Sequence, residues 1–419
     1  MRIDPLRFSD AIVRVYEACV DELLVNLARH FNVGATGNIP TFDYEVELLA
    51  KMGAIRKETA KIIARHVVNN EPMIVEAVKT AMLDALKDVE PEFAQAARAG
   101  MLSGTDMEVL DGIQDQLAAY SRQAVKQTNL VNTVMLEGTM EAYRKGIYAA
   151  TDIVRQLGAA QTVLNAETGK VITGTSTLQE AVRSGVRAMH EAGITGFIDH
   201  GGHKWSAEAY VRMDLKTTCS NAANQAVMTR NEQYGNDLIW VNTNATARPG
   251  CYPWQGKVIS MANRARVVTD GYGRRVQAYA ASQTTYGQPD GIYGINCHHG
   301  PMNVFIPGMS VVRGQASAPS KEASDKIYQL TQEQRRMERQ VRYAKREAAM
   351  LDAAGDKEGF EKAALRVKER QAKLKAFVNE HEESLVLRGD RTQVYGWDAS
   401  MNAKATQATR RREKEKSKN

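Results

Sequence analysis

A chain of 419 residues has room for two to four domains, and 43% hydrophobic with 25% charged residues is the ordinary balance of a soluble protein with buried cores. No stretch reaches the roughly 18 uncharged apolar residues of a membrane span. The opening MRIDPLRFSDAIVRVYEACVDELL has no continuous apolar h-region, so no signal peptide is expected and synthesis in a cytoplasm is. Cys19, Cys219, Cys251 and Cys297 are too scattered for a disulfide scaffold, and reduced thiols are expected. The net charge of +6 is unevenly spread. Residues 321–419 hold 24 Lys and Arg against 17 Asp and Glu, while the remainder holds 31 against 32. A basic excess confined to the last quarter points to contact with nucleic acid or an acidic partner.

The first 160 residues read as helix. Phe8, Ile12, Val15, Tyr16, Cys19 and Leu23 recur at steps of three and four, one buried helical face. Val46, Leu49, Met52, Ile55, Ala60 and Ile63 predict a second such face over 43–66. Asn69-Asn70-Glu71-Pro72 reads as a break, followed by helices over about 73–86 and 106–157. Across 158–177 the texture changes: a turn at Gly169, a short extended piece at Val171-Ile172, and a new helix capped by Ser176 or Thr177. FIDHGGHKW predicts a glycine turn with a short strand, and a helix over 206–232 follows, with Ala209, Met213, Thr217, Ala223 and Val227 as inward candidates.

From Asp237 to Gly308 the texture is strand and loop. DLIWVNT is rich in β-favouring residues and leads through ATARPGCYPWQGKVIS to the Gly- and Tyr-dense YGQPDGIYGINCHHGPMNVFIPG. Two charged amphipathic helices come next, one with the seam Leu330, Met337, Val341, Ala344, Ala348 and Leu351, the other with Phe360, Ala364, Val367, Gln371, Leu374 and Val378. Gly355-Asp356 between them predicts an antiparallel hairpin. The polar, basic end, RRREKEKSKN, predicts a flexible tail. The fold class expected is α+β, with a helical region 1–160, a central helix-plus-small-sheet domain with Gly-rich loops 161–320, a basic helical hairpin 321–388 and the tail 389–419.

Three features in order resemble the phage minor capsid protein family, itself similar in outline to the Mu-type head morphogenesis proteins. They are RNEQYGNDLIWVNTNATARPGCYPWQGKVIS, the Gly/Asn/Cys/His segment ending NCHHGPMNVFIPG, and the basic hairpin opening with YQLTQEQRRMERQVRYAKR. The resemblance covers roughly residues 205–378. It implies a structural protein of the virion, in the portal region or head interior, supporting head assembly with the portal protein and other capsid proteins as partners. It implies no catalytic activity, and Arg248, Pro249, Gly250, Cys251, Trp254, Gly256, Asn296, Cys297, His298, Pro307 and Gly308 become structural motif positions.

Sharper chemistry has several candidates. Cys251, Cys297, His298 and His299 are the residue types that bind zinc. However, no CxxC or HxxxH spacing is present, and consecutive residues of an extended chain point to opposite faces, so 297, 298 and 299 do not all face one ion. The expectation is therefore no metal and no other cofactor, with these residues fixing loops. Asp199, His200 and His203 in DHGGH read as a turn before a helix. Cys251 beside Arg248 has the surroundings of an activated thiol, but the sequence pairs no base with it. RARVVTDGYGRRVQAYAASQTTYG fits a protein interface, where Tyr and Arg are enriched. Arg410, Arg411, Arg412, Lys414, Lys416 and Lys418 are the expected contacts to double-stranded DNA, through phosphates and without sequence readout. Two rivals stand beside the structural reading: a virion-carried metal-dependent hydrolase, transferase or toxin built on the Cys/His cluster, and a non-specific DNA-binding module acting through the C-terminal region.

Overall fold

A computed structural model of the chain describes residues 6–31, 41–103, 113–168, 175–311 and 319–416. The chain divides into two compact units. One comprises Met1–Val13, Asn69–Asn129 and Val211–Gln332; the other comprises Arg14–Val68, Leu130–Tyr210 and Glu333–Asn419. The architecture is mostly helical, with a five-stranded sheet and a two-stranded hairpin among the described residues, the α+β class expected from the sequence. Among the described residues no helix is long and apolar enough to cross a membrane.

The first unit carries the sheet. Helix α4 (Asn70–Arg98) buries Ile74, Val78, Ala81, Met82, Ala85, Leu86, Val89 and Phe93 on one face. It runs past the expected end at residue 86 and accommodates Pro91 in its interior. Helix α7 (Ala207–Gln233) follows the expected bounds and part of the expected face. Ala223 and Val227 are buried as expected, together with Val211, Leu215, Cys219, Ala222, Ala226 and Arg230, whereas Ala209 is exposed and Met213 and Thr217 are half-buried. Nearly every turn of α7 offers Ala, Thr or Asn, so no single stripe stands out in the sequence. Arg230 is fully buried and donates from Nε to Glu90 of α4 at 2.9 Å, while Phe93 stacks on Tyr234 at 4.7 Å.

Five short strands follow: β3 (Leu238–Trp240), β4 (Val258–Ser260), β5 (Arg266–Thr269), β6 (Arg275–Ala280) and β7 (Asn303–Val304). Their order across the sheet is β5-β6-β4-β3-β7, antiparallel throughout except for the β4–β6 pair. Leu238, Val258, Ala278 and Phe305 form a fully buried cluster, with Trp240, Val268 and Val276 against it. Asp237 anchors the sheet's start by accepting hydrogen bonds from Ser260 and Arg266, and Arg266 is the main influence holding its carboxyl below the usual range against burial.

The second unit is built from helices and one two-stranded hairpin, and the unit bounds fall within α1, α5 and α8, whose residues 6–13, 114–129 and 321–332 count with the first unit. Within helix α1 (Leu6–His30), Ile12, Tyr16, Cys19 and Leu23 are buried as expected, joined by Val20, Leu24 and Leu27. The predicted helix over 43–66 is two helices, α2 (Thr41–Ala50) and α3 (Met52–Val67). Its inward face matches the expectation in part: Ile55 and Ile63 are buried as expected, joined by Leu48, Thr59 and Ile62, while Val46, Leu49 and Ala60 face outward. Helix α5 (Gln114–Thr168) continues through Gly158, where a change of texture was expected, because Leu157, Ala159, Ala160 and Gln161 around that glycine favour helix. The expected turn at Gly169 and extended piece at Val171-Ile172 lie outside the described residues, as do the side chains of Ser176 and Thr177 at the start of α6 (Thr175–Ala192).

Helices α8 (Lys321–Ala353) and α9 (Lys357–Glu380) form the expected hairpin. Gly355 supplies the left-handed backbone of its turn, with φ of +77°. The Asp356 side chain accepts from the Gly359 amide at 2.9 Å, capping α9, and also binds Arg183 of α6 through two hydrogen bonds of 2.7 and 2.9 Å. Both seams are buried at the turn end; Leu330 and Met337 are half-buried and Gln371 is exposed. Arg346 of α8 is bound by Asp21 of α1 and by Glu208, the latter at 2.8 Å, and the Tyr395 amide donates to the same Asp21 at 2.7 Å. The tail expected to be flexible instead contains helix α10 (Ala399–Lys416), which packs on α9. Ala405, Ala408 and Thr409 are buried there, and Trp397 is closed over with its indole N–H on Asn402 at 2.7 Å. A short apolar stripe thus outweighs the basic composition.

Candidate functional site

The loops between the strands of the first unit bring together most of the residues singled out in the sequence between Arg248 and Gly308. Asn244, after β3, donates its backbone N–H to the Gln255 side-chain oxygen Oε1, and its own side-chain oxygen accepts from the Thr246 amide and hydroxyl at 2.8 Å. This folds 244–255 into a tight loop that turns through a single 3-10 turn at Tyr252–Trp254. Arg248 then reaches across to the second loop, donating to the Ile295 carbonyl at 2.9 Å and to the Gly291 carbonyl at 3.0 Å. The Gly250 carbonyl accepts from the Thr285 hydroxyl at 2.8 Å. Gly291 leaves no room for any other residue, since a Cβ there would lie 1.8 Å from the Thr285 carbonyl oxygen. Trp254 meets Tyr279 edge-on at 5.7 Å, Gly256 donates to Val241 at 2.7 Å, and Gly308 donates to Thr269 at 2.8 Å. Pro249, Asn296 and Pro307 are exposed at the corners of these loops.

The two loops converge on three side chains. Cys251 Sγ, Cys297 Sγ and a ring nitrogen of His299 all lie within 4.8 Å of one another, and all three residues are buried. His299 Nδ1 is 3.4 Å from Cys297 Sγ, and its Nε2 is 3.5 Å from Gln255 Oε1. The Tyr293 amide donates to Cys297 Sγ at 3.1 Å, and Arg248 Nη2 approaches Cys251 Sγ at 3.9 Å. A hydrogen bond from the Cys251 thiol lowers the Cys297 pKa against the cost of burial, with His299 adding to the effect, and the same bond pushes Cys251 up. Cys19 and Cys219, by contrast, are ordinary core thiols raised to about 12 chiefly by burial.

Alternation along the chain separates His298 from its neighbours, as the sequence implied. Its ring faces Lys216 Nζ at 3.4 Å, and its carbonyl accepts from Asn244 at 3.3 Å. What alternation also does is place 297 and 299 on one side, and the fold then supplies Cys251. Gln255 and Asn244 were not singled out from the sequence; both look like surface amides, and only the loop closure reveals their task. The buried Gln255 Nε2 has no hydrogen-bond partner among the described residues.

DHGGH is the turn of the β1–β2 hairpin (Thr195–Ile198, Lys204–Ser206). Asp199 accepts from the His203 amide at 2.9 Å and from the Trp205 indole at 3.2 Å, which holds its carboxyl below the usual range, and His200 and His203 are exposed. The Tyr/Arg-rich stretch forms the β5–β6 hairpin, with Tyr272 72% exposed at its tip. Of the C-terminal basic residues, Arg410 and Arg411 are exposed on α10 and Arg412 lies 4.0 Å from Glu358. Lys414 is exposed on the same helix, and the Lys416 and Lys418 side chains lie outside the described residues.

Comparison with known proteins adds two findings. The family model described as phage minor capsid protein 2 matches residues 6–379. A protein described as a structural protein of Lactococcus phage LL-H is 29% identical over 346 residues, spanning 81% of this chain and 86% of its own length. No solved structure matches.

Proposed function

The chain belongs to the phage minor capsid protein 2 family, and from that premise we propose that it supports assembly of a tailed-phage head near the portal, bound to the portal protein and other capsid proteins. Its broader role as a structural protein of the virion follows from the family and from the phage relative. The observation that carries the finer reading is the span of the family match, which takes in both the looped sheet and the α8–α9 hairpin rather than one detachable module.

Binding, not turnover, is the mechanism. The β5–β6 hairpin offers an edge strand with Val267 and Tyr272 outward, a surface suited to a protein neighbour. The basic excess of residues 321–419, with Arg410 and Arg411 exposed on α10, suits non-specific contact with packaged DNA through phosphates. The thiol–imidazole cluster is the feature an enzyme would use, but its burial suits a residue set that holds loops together.

Locating the protein in intact particles tests the proposal. Density or label at the portal end of the head, co-purifying with the portal protein, is the expected result. Protein present in infected-cell lysate but absent from purified particles would overturn it.

A further inference from the structure

We propose that Cys251, Cys297 and His299 bind a zinc ion that ties the two loops of the sheet unit together. This inference is independent of where in a particle the chain sits. Two thiolates and an imidazole are the donor set that borderline-soft Zn²⁺ prefers over the harder oxygen-seeking cations. The spacing fits. Zinc–sulfur and zinc–nitrogen bonds of about 2.3 and 2.0 Å at a tetrahedral angle put sulfur and nitrogen roughly 3.5 Å apart. His299 Nδ1 stands 3.4 Å from Cys297 Sγ, and Cys251 Sγ is within 4.8 Å of both.

The surroundings favour the metal-bound form. With Gln255 Oε1 at 3.5 Å from Nε2, His299 is placed to keep its proton on Nε2 and leave the Nδ1 lone pair for the ion. Each sulfur has a donor aimed at it, the Tyr293 amide on Cys297 and the Arg248 guanidinium on Cys251. Two thiolates, one neutral imidazole and Zn²⁺ sum to zero charge, so the assembly can be buried without the large cost of an isolated ion. Cys251 and His299 are each 1% exposed and Cys297 7%, so the ion would be closed off from bulk solvent. Three protein donors leave one tetrahedral position for a water molecule.

The test uses the full chain, purified from zinc-supplemented cells and freed of loose metal. Elemental analysis is expected to give about one zinc per chain, stripped by chelation with a fall in Tm that added Zn²⁺ reverses. C251S, C297S and H299A should each lose the metal at least tenfold, while H298A and C219S keep it. Because a variant can fail to fold, the wild-type chain is also exchanged with Co²⁺, which should show intense d–d bands of a tetrahedral site and thiolate charge-transfer bands. Featureless Co²⁺ spectra, zinc retained equally by the C251S/C297S double variant, or an intact mass lacking two hydrogens from a Cys251–Cys297 disulfide would each overturn the proposal.

Discussion

The α8–α9 hairpin and the loops around Cys251 are held in opposite ways. In the hairpin, Val341, Ala344, Ala348 and Leu351 on one helix and Phe360, Ala363, Ala364 and Val367 on the other share the burial, so no single side chain decides the outcome. In the loops, a handful of polar contacts and glycine positions hold long spans of chain, and each has one task with no substitute. The contrast teaches that redundancy, rather than the number of contacts, separates robust from fragile parts of this molecule.

The contrast is sharpest at Gly291. Gly291→Val should cost on the order of 4 kcal/mol or abolish soluble expression, because its Cβ meets backbone that cannot give way; a normal denaturation midpoint would remove the distinction. Arg346→Met probes the exception within the helices, where one guanidinium serves two buried carboxylates. It should destabilise by about 3 kcal/mol in urea melts, since Asp21 and Glu208 are left buried without it. Leu374→Ala, a seam residue of α9, should cost roughly 2 kcal/mol and leave a cooperative transition.

A fourth prediction concerns pH. Burial, with the nearby Arg346 charge, holds the His190 pKa down at about 3, against 6.5 in the unfolded chain. Its stabilising contribution is therefore complete above 6.5 and is lost as the pH falls, because the unfolded state takes up a proton that the folded state refuses. The loss is about 1.4 kcal/mol by pH 5.5. His190→Gln should flatten this dependence in Tm measurements across pH 7 to 5. The smallest structural effect belongs to Arg410→Ala with Arg411→Ala. Stability should move by under about 0.5 kcal/mol, while the slope of log K against log salt for duplex DNA falls by roughly two.

The helices were largely legible because a 3.6-residue apolar period survives in the sequence, as at Ile12, Tyr16, Cys19 and Leu23. Where the buried face uses Thr59, or the many small residues of α7, the period blurs and only part of the face is legible, Ile55 and Ile63 in one case and Ala223 and Val227 in the other. Helix α10 was hidden because Ala405 and Ala408 are a faint signal among Arg and Lys. The strand at Leu238 was visible, yet the thiol–imidazole cluster was only half so. Local alternation can pair Cys297 with His299, but nothing local relates them to a cysteine that the fold delivers from another loop. Gln255 had no signal at all, since its burial follows from loop closure.

Arg248 joins positions 43 and 47 residues further along the chain. The Asn244 side chain on the His298 carbonyl and the Thr285 hydroxyl on the Gly250 carbonyl close the same gap. Everything between, including β4, β5 and β6, is therefore a noose drawn tight by several side chains, with β3 and β7 paired just outside it. A puller would meet the β3–β7 pair and that neck before reaching the β5–β6 ladder, and once both gave way a single long segment would be released.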